Sequence, residues 1–133
     1  MADILEFRNP RVDRGQRAYL TGLCGEDAVI RHYEDLGAEL LCQRWRGAGA
    51  EIDLIFREGR MLVFVEVKTG RTFDGAAQRI GWSQLHRIMR AAEAYAGSHA
   101  LDPAGFLPEM RIDVGLVDGQ GMVQILENVS MAA

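Results

Sequence analysis

Over residues 51–68, EIDLIFREGRMLVFVEVK, apolar and charged residues alternate in two short runs around Glu58-Gly59. A pair of this chemistry between strand-like runs reads as a two-residue hairpin loop. With Glu58-Gly59 in the loop, Arg57 faces Arg60, Phe56 faces Met61, Asp53 faces Phe64 and Glu51 faces Glu66. Opposed residues share a face, and faces alternate along each strand. One face then carries Ile52, Leu54, Phe56, Met61, Val63, Val65 and Val67, all apolar. The other carries Glu51, Asp53, Ile55, Leu62, Phe64, Glu66 and Lys68, apolar near the turn and charged at the far end. This sorting depends on loop parity, because a three-residue loop would send the charges to opposite faces.

The pattern extends along the chain. Residues 1–14 read as an extended or mobile arm, and residues 15–133 as a single domain. Residues 15–36 read as a helix weakened by Gly22 and Gly25, with Glu26, Val29, Ile30, Tyr33 and Leu36 on one stripe and Gly37 as its stop. Residues 38–46 form a strand, and Gly47-Ala48-Gly49 leads into the hairpin. Residues 69–81, TGRTFDGAAQRIG, read as a long loop, a length often tied to function. Residues 82–96 form an amphipathic helix that Ser83 could cap. Leu85, Ile88, Met89, Ala92 and Tyr95 face inward; His86, Arg87, Arg90 and Glu93 face outward. After irregular residues 97–109, strands are expected over 110–117 and 122–127 across a Gly119-Gln120-Gly121 turn. The order helix, three strands, helix, two strands is that of an α/β domain, a mixed sheet flanked by helices. The 69–97 connection is long enough for a right-handed crossover.

Bulk properties narrow the function. At 133 residues the chain has the size of one domain with a proper core, and 48% apolar with 26% charged residues is ordinary for a globular protein. A net charge of −4 argues against a nonspecific, globally basic nucleic-acid binder and leaves room for a local basic patch. No apolar run is long enough to span a bilayer, and MADILEFRNPR lacks a signal-like stretch, so no membrane partner and a cytoplasmic location are expected. Cys24 and Cys42 lack metal-type spacing and read as small core residues of a reducing compartment.

The charged end of the hairpin is the candidate site. Asp53 and Glu66 are diagonal neighbours there, roughly 7–8 Å apart between backbones. Gathered like charges are unfavourable, more so when desolvated, and Lys68 and a divalent cation are the natural offsets. Hard oxygen ligands suit Mg²⁺, Mn²⁺ or Ca²⁺. Of the basic residues fourteen are Arg and only one, Lys68, is Lys; a compact ammonium with an adjustable pKa stands where the acids cluster. Glu26 lies on the core-facing stripe of its helix. It is either a helix-start acid favoured by the dipole or a further acid aimed at the cluster. Arg44 and Arg46, sharing a face around Trp45, belong to a solvated edge or a phosphate contact. The loop adds Arg71 and Arg79, and Arg8, Arg11, Arg14 and Arg17 recur every third residue in a solvated leader or a phosphate-touching arm.

Gly25-Glu26, Glu51-Ile52-Asp53-Leu54-Ile55, Phe64-Val65-Glu66-Val67-Lys68 and Ala91-Ala92-Glu93-Ala94-Tyr95 together resemble the YraN family of bacterial endonuclease-like proteins. That family looks like a branch of the PD-(D/E)xK nuclease superfamily, similar to archaeal Holliday-junction resolvases. The similarity covers roughly residues 15–128, including Arg111-Ile112-Asp113-Val114 and Ile125-Leu126-Glu127-Asn128. It implies a restriction-endonuclease-like core and a metal-dependent nuclease hydrolysing DNA phosphodiester bonds, on branched or damaged DNA. The alternative is a non-catalytic nucleic-acid-binding module that keeps the fold. It implies that Asp53, Glu66 and the Val67 carbonyl hold Mg²⁺ or Mn²⁺, that Lys68 positions or polarises the attacking water, and that Glu26 reaches the metal directly or through water. Glu51 would be an additional acid, and Arg44, Arg46, Arg71, Arg79 and Arg87 would contact nucleic acid. A homodimer would suit a two-fold substrate. Two positions depart from the pattern: Ala50 replaces a usual glycine, and Gln84 replaces a frequent lysine, which removes a possible phosphate contact.

Overall fold

Residues 24–129 are described by the computed structural model; the expected arm over 1–14 and the first part of the expected helix lie outside them. Helix α1 covers residues 24–35. Strands β1 (Glu39–Gly47), β2 (Ala50–Glu58) and β3 (Met61–Thr69) follow. Helices α2 (Phe73–Ala77) and α3 (Trp82–His99) lead to β4 (Glu109–Val117) and β5 (Val123–Leu126). The strands form one sheet in the order β1-β2-β3-β4-β5. Neighbours are antiparallel except β3 and β4, which are parallel and joined through α2 and α3. This is the expected mixed sheet flanked by helices, with the element order of a restriction-endonuclease-like core. No helix among the described residues is long and apolar enough to cross a membrane.

Helices cover both faces of the sheet. Val29, Ile30 and Tyr33 of α1 pack on Leu54, Phe56, Val63 and Val65. Ile88, Ala91, Ala92 and Tyr95 of α3 pack on Ile52, Ile55, Leu62, Phe64 and Ile112. Because both faces are buried, β3 reads as a continuous apolar run, with Leu62, Val63, Phe64 and Val65 all 2% exposed or less.

Several expectations are corrected. The hairpin loop is Gly59-Arg60, because Glu58 pairs with Met61 and Arg57 with Leu62. Gly59 has φ +62°, the conformation that glycine allows at the first position of a two-residue hairpin turn. The register therefore moves by two residues and its parity survives. The long loop contains α2, which Thr72 caps by accepting a hydrogen bond from the Gly75 N–H. Helix α3 runs on to His99, and its N-cap is Gly81, without a side-chain cap from Ser83. Leu36 falls past the end of α1 and is 67% exposed. Cys24 is exposed and Cys42 only half-buried, so neither is a full core residue.

A buried polar knot ties the elements together. Asp113 on β4 is fully buried. Its Oδ2 accepts from the Tyr33 hydroxyl at 2.6 Å and from Arg111 Nη2 at 2.9 Å. Its Oδ1 accepts from Arg111 Nε at 2.8 Å and from the Asn128 N–H at 2.9 Å. Burial and then the hydrogen bond to Asp113 raise the Tyr33 pKa, so the phenol remains a donor. The Tyr33 ring also stacks on Phe56 with centroids 4.5 Å apart. Replacing Tyr33 with Phe keeps this packing and removes one donor to a buried carboxylate. We expect a loss of about 1–2 kcal/mol in urea unfolding with an unchanged m-value. No measurable loss would mean that Arg111 and the Asn128 N–H satisfy Asp113 without Tyr33.

Candidate functional site

The site forms where the β2–β3 ladder ends. Pairing runs from Glu58–Met61 to Leu54–Val65, so Asp53 and Glu66 are the residues that follow the last pair on each strand, in place of the diagonal expected. Strand alternation breaks at this point. Ile52 packs with Trp45, Ile55 and Phe64 on the α3 side, whereas Leu54 packs on the α1 side. The expected wholly apolar face thus loses Ile52. On β1, Arg44 lies between the pairs Gln43–Leu54 and Trp45–Ile52 and has a positive φ of 54°, a conformation uncommon outside glycine. The register shift of the β1–β2 pair lies further along, between Leu40 and Cys42. Asp53 Oδ2 accepts the Val67 N–H at 2.8 Å. A side chain of β2 thereby holds β3 just beyond the last ladder pair.

Glu66 is buried. Its Oε1 accepts from Gln84 Nε2 at 3.0 Å and lies 3.2 Å from Lys68 Nζ. Lys68 Nζ in turn donates to Gln84 Oε1 at 2.9 Å. Glu66 Oε2 is buried with no hydrogen-bond partner. Glu26 sits nearby on α1, where its Oε2 accepts from Arg44 Nε at 3.3 Å and Nη2 at 3.0 Å.

The electrostatics follow from burial. Desolvation raises the Asp53 pKa; the Val67 N–H opposes this, and the Glu26 charge adds to it. Desolvation, and then the charge of Asp53, push Glu66 up to about 7, against the pull of Lys68. Two close carboxylates, one buried and one half-buried, resist holding two negative charges at once. A divalent cation fits this arrangement: two hard oxygen donors are in place, one of them with a buried oxygen unpartnered. Mg²⁺ commonly takes only one or two carboxylates and keeps several waters. Among the described residues, no three acidic, histidine or cysteine side chains are grouped as a complete metal cage. Glu26 is engaged by Arg44 instead of closing such a set.

The remaining candidates are dispersed. Glu51 pairs with Arg46 at 3.4 Å across the β1–β2 ladder. Arg44 is committed at least in part to Glu26. Arg87 projects outward from α3, and Arg71 and Arg79 line a cavity beyond the ends of β3 and β4. Sequence reasoning missed the role of Gln84. It is a bridge between Glu66 and Lys68, where the sequence pattern suggested only a lost lysine. The available signal was its position four residues before Ile88 and eleven before Tyr95, on the inward stripe of α3.

Glu66 predicts a pH signature. Its folded pKa, about 7, lies above the ordinary glutamate value of 4.5, so between the two the folded state holds a proton that the unfolded chain has released. Stability should fall as pH rises from about 5 to 8, by on the order of 2 kcal/mol from this group. Glu66→Gln should flatten that slope. The check is metal-free urea unfolding of both proteins at several pH values; parallel profiles would show that Glu66 ionises normally.

The family model described as "Uncharacterised protein family UPF0102" matches residues 25–117, which include Glu26, Asp53, Glu66 and Lys68. A UPF0102 protein of Roseobacter denitrificans is 48% identical over 120 residues, covering 90% of this chain and 91% of that protein. One from Ruegeria pomeroyi is 47% identical over 115 residues, covering 86% and 91%. Another from Dinoroseobacter shibae is 40% identical over 129 residues, covering 97% and 94%. A match across most of the fold, with relatives aligned over nearly their full length, places this chain in the UPF0102 family.

Proposed function

We propose that this protein is a metal-dependent nuclease that hydrolyses phosphodiester bonds in DNA, with branched or damaged DNA as the substrate class. The observation that carries the reading is the buried, half-unpartnered Glu66 carboxylate beside Asp53 and the only lysine of the chain. Asp53 and Glu66, with the Val67 carbonyl, would hold Mg²⁺ or Mn²⁺, and the ion supplies the Lewis acid that neutralises charge developing on the phosphoryl oxygens.

The chain's own groups do the rest. The Val67 N–H fixes the orientation of Asp53. Gln84 anchors Glu66 with its amide N–H and Lys68 with its carbonyl, so both side chains are held in one geometry. An ammonium has three donors. One goes to Gln84 and one faces Glu66, which leaves one for an attacking water or a phosphoryl oxygen. Glu26 adds negative charge at the rim and is itself restrained by Arg44.

A non-catalytic nucleic-acid-binding module is the second reading. It is favoured by the net charge of −4 and by the ion pairs that engage Arg44 and Arg46, both of which weaken phosphate contacts. A homodimer would suit a two-fold branched substrate under either reading.

Calorimetric titration with Mn²⁺ should give binding that Asp53→Ala abolishes. Mn²⁺-dependent cleavage, assayed over single-stranded, duplex, flap and four-way-junction DNA, should be lost in Asp53→Ala and Glu66→Ala. Lys68→Ala should slow it by about 10²–10⁴-fold, the usual range for a positioned proton-handling group. Metal binding without cleavage of any substrate would leave the binding module ahead. Absence of metal binding would reduce the acids to a polar rim.

A further inference from the structure

A cavity of about 680 Å³ opens past the carboxyl ends of the parallel strands β3 and β4. It lies between the first described residues of α1, the β3–α2 loop, the α2–α3 connection and the β4–β5 turn, with Gly25, Thr69, Arg71, Arg79 and Asp118 among its lining residues. In the chain, Gly25 directly precedes Glu26 and Thr69 directly follows Lys68. The end of parallel strands is where open α/β sheets take ligands.

The cavity walls are fixed by close approaches. The Gly70 N–H donates to the Val117 carbonyl, and the Gly119 N–H to the Arg71 carbonyl. A Cβ on Gly25 would come within 2.7 Å of the Thr69 methyl, and one on Gly70 within 2.7 Å of the Ala76 backbone nitrogen. Charge in the cavity is unbalanced. Among the described residues, the side chains of Arg71 and Arg79 have neither an ion-pair nor a hydrogen-bond partner. The acid in the lining, Asp118, is turned to its own loop, where Oδ1 accepts the Gln120 and Met122 N–H groups at 2.9 Å each. Two guanidinium forks against one carboxylate leave a surplus of one positive charge.

We propose that this cavity holds the terminal phosphate monoester of a nucleic-acid strand. Arginine forks bind phosphate oxygens bidentately. A monoester brings three acceptor oxygens and roughly −1.5 to −2 charge; a diester within a strand carries a single charge. A cavity within the usual ligand-pocket range of roughly 300–1,000 Å³ can take a terminal nucleotide with its phosphate. Bounded by four chain segments, it receives an end more readily than a passing strand. The assignment rests on the nuclease reading, because it makes phosphorylated ends, nicks and flaps the preferred substrates.

The test reads binding alone, so it stands or falls independently of cleavage. Full-length protein is titrated without divalent cation against internally labelled single-stranded oligonucleotides of one sequence with a 5′-phosphate, a 3′-phosphate or hydroxyl ends. One phosphorylated end should bind about tenfold tighter than the hydroxyl-ended strand, as a charge-assisted contact gives. Arg71→Ala and Arg79→Ala should each bring the phosphorylated and hydroxyl-ended strands to equal affinity, with the melting temperature nearly unchanged. Equal affinity for all three ends, or a preference that survives both substitutions, overturns the proposal. So does an end preference abolished by inorganic phosphate at concentrations near the protein's own, which would mark a site for small phosphates.

Discussion

Two carboxylates, Asp53 and Glu66, are forced together under partial burial at the point where two strands stop pairing. Their mutual repulsion and lost hydration oppose the folded state, and the surroundings only partly relieve it. The Val67 N–H, Lys68 and the Gln84 amide each satisfy part of the pair. One oxygen of Glu66 is left without a partner. A buried polar atom without a partner costs about 1–3 kcal/mol, a cost natural proteins rarely carry without a reason. Protonation of Glu66 relieves part of this cost, in keeping with its raised pKa.

The rest of the molecule holds that junction still. β3 carries Glu66, Val67 and Lys68 in the middle of the sheet, paired on one side with β2 and on the other with β4. Val65 pairs with Asp113, one residue from Glu66. Asp113 is tied to α1 through Tyr33, to its own strand through Arg111 and to the chain beyond β5 through Asn128. The site strand is therefore clamped by a buried polar knot on one helix and by the apolar face of α3 on the other side. Groups mounted on such a scaffold keep their geometry without loop motion, which suits chemistry that needs positioned charges.

The amino-acid order alone settled several points. Alternation along β3 placed Glu66 and Lys68 on one face, and an even change of register could not undo that. The amphipathic stripe at Leu85, Ile88, Ala92 and Tyr95 fixed the buried face of α3, because only that face is continuously apolar. The mixed sheet followed from the long connection between β3 and β4. Helix α2 stayed hidden, since its five residues are too short for a periodic signal and depend on the Thr72 cap.

Other features required the chain to be folded. The register of the hairpin was set by the backbone that Gly59 can adopt, which the residue pair in the loop leaves ambiguous. The break in alternation at Ile52–Leu54 lies beside a left-handed Arg44 on the neighbouring strand, and residue type gives no sign of either. Gln84 meets Glu66 and Lys68 only because α3 crosses the sheet at that point, a contact spanning 16 to 18 residues of chain. The two arginines of the cavity acquire a common surrounding only where β3 and β4 end side by side. Local pattern decides which face a residue takes, because periodicity is a property of neighbours along the chain. Which partner waits on that face is decided by packing between segments far apart in sequence.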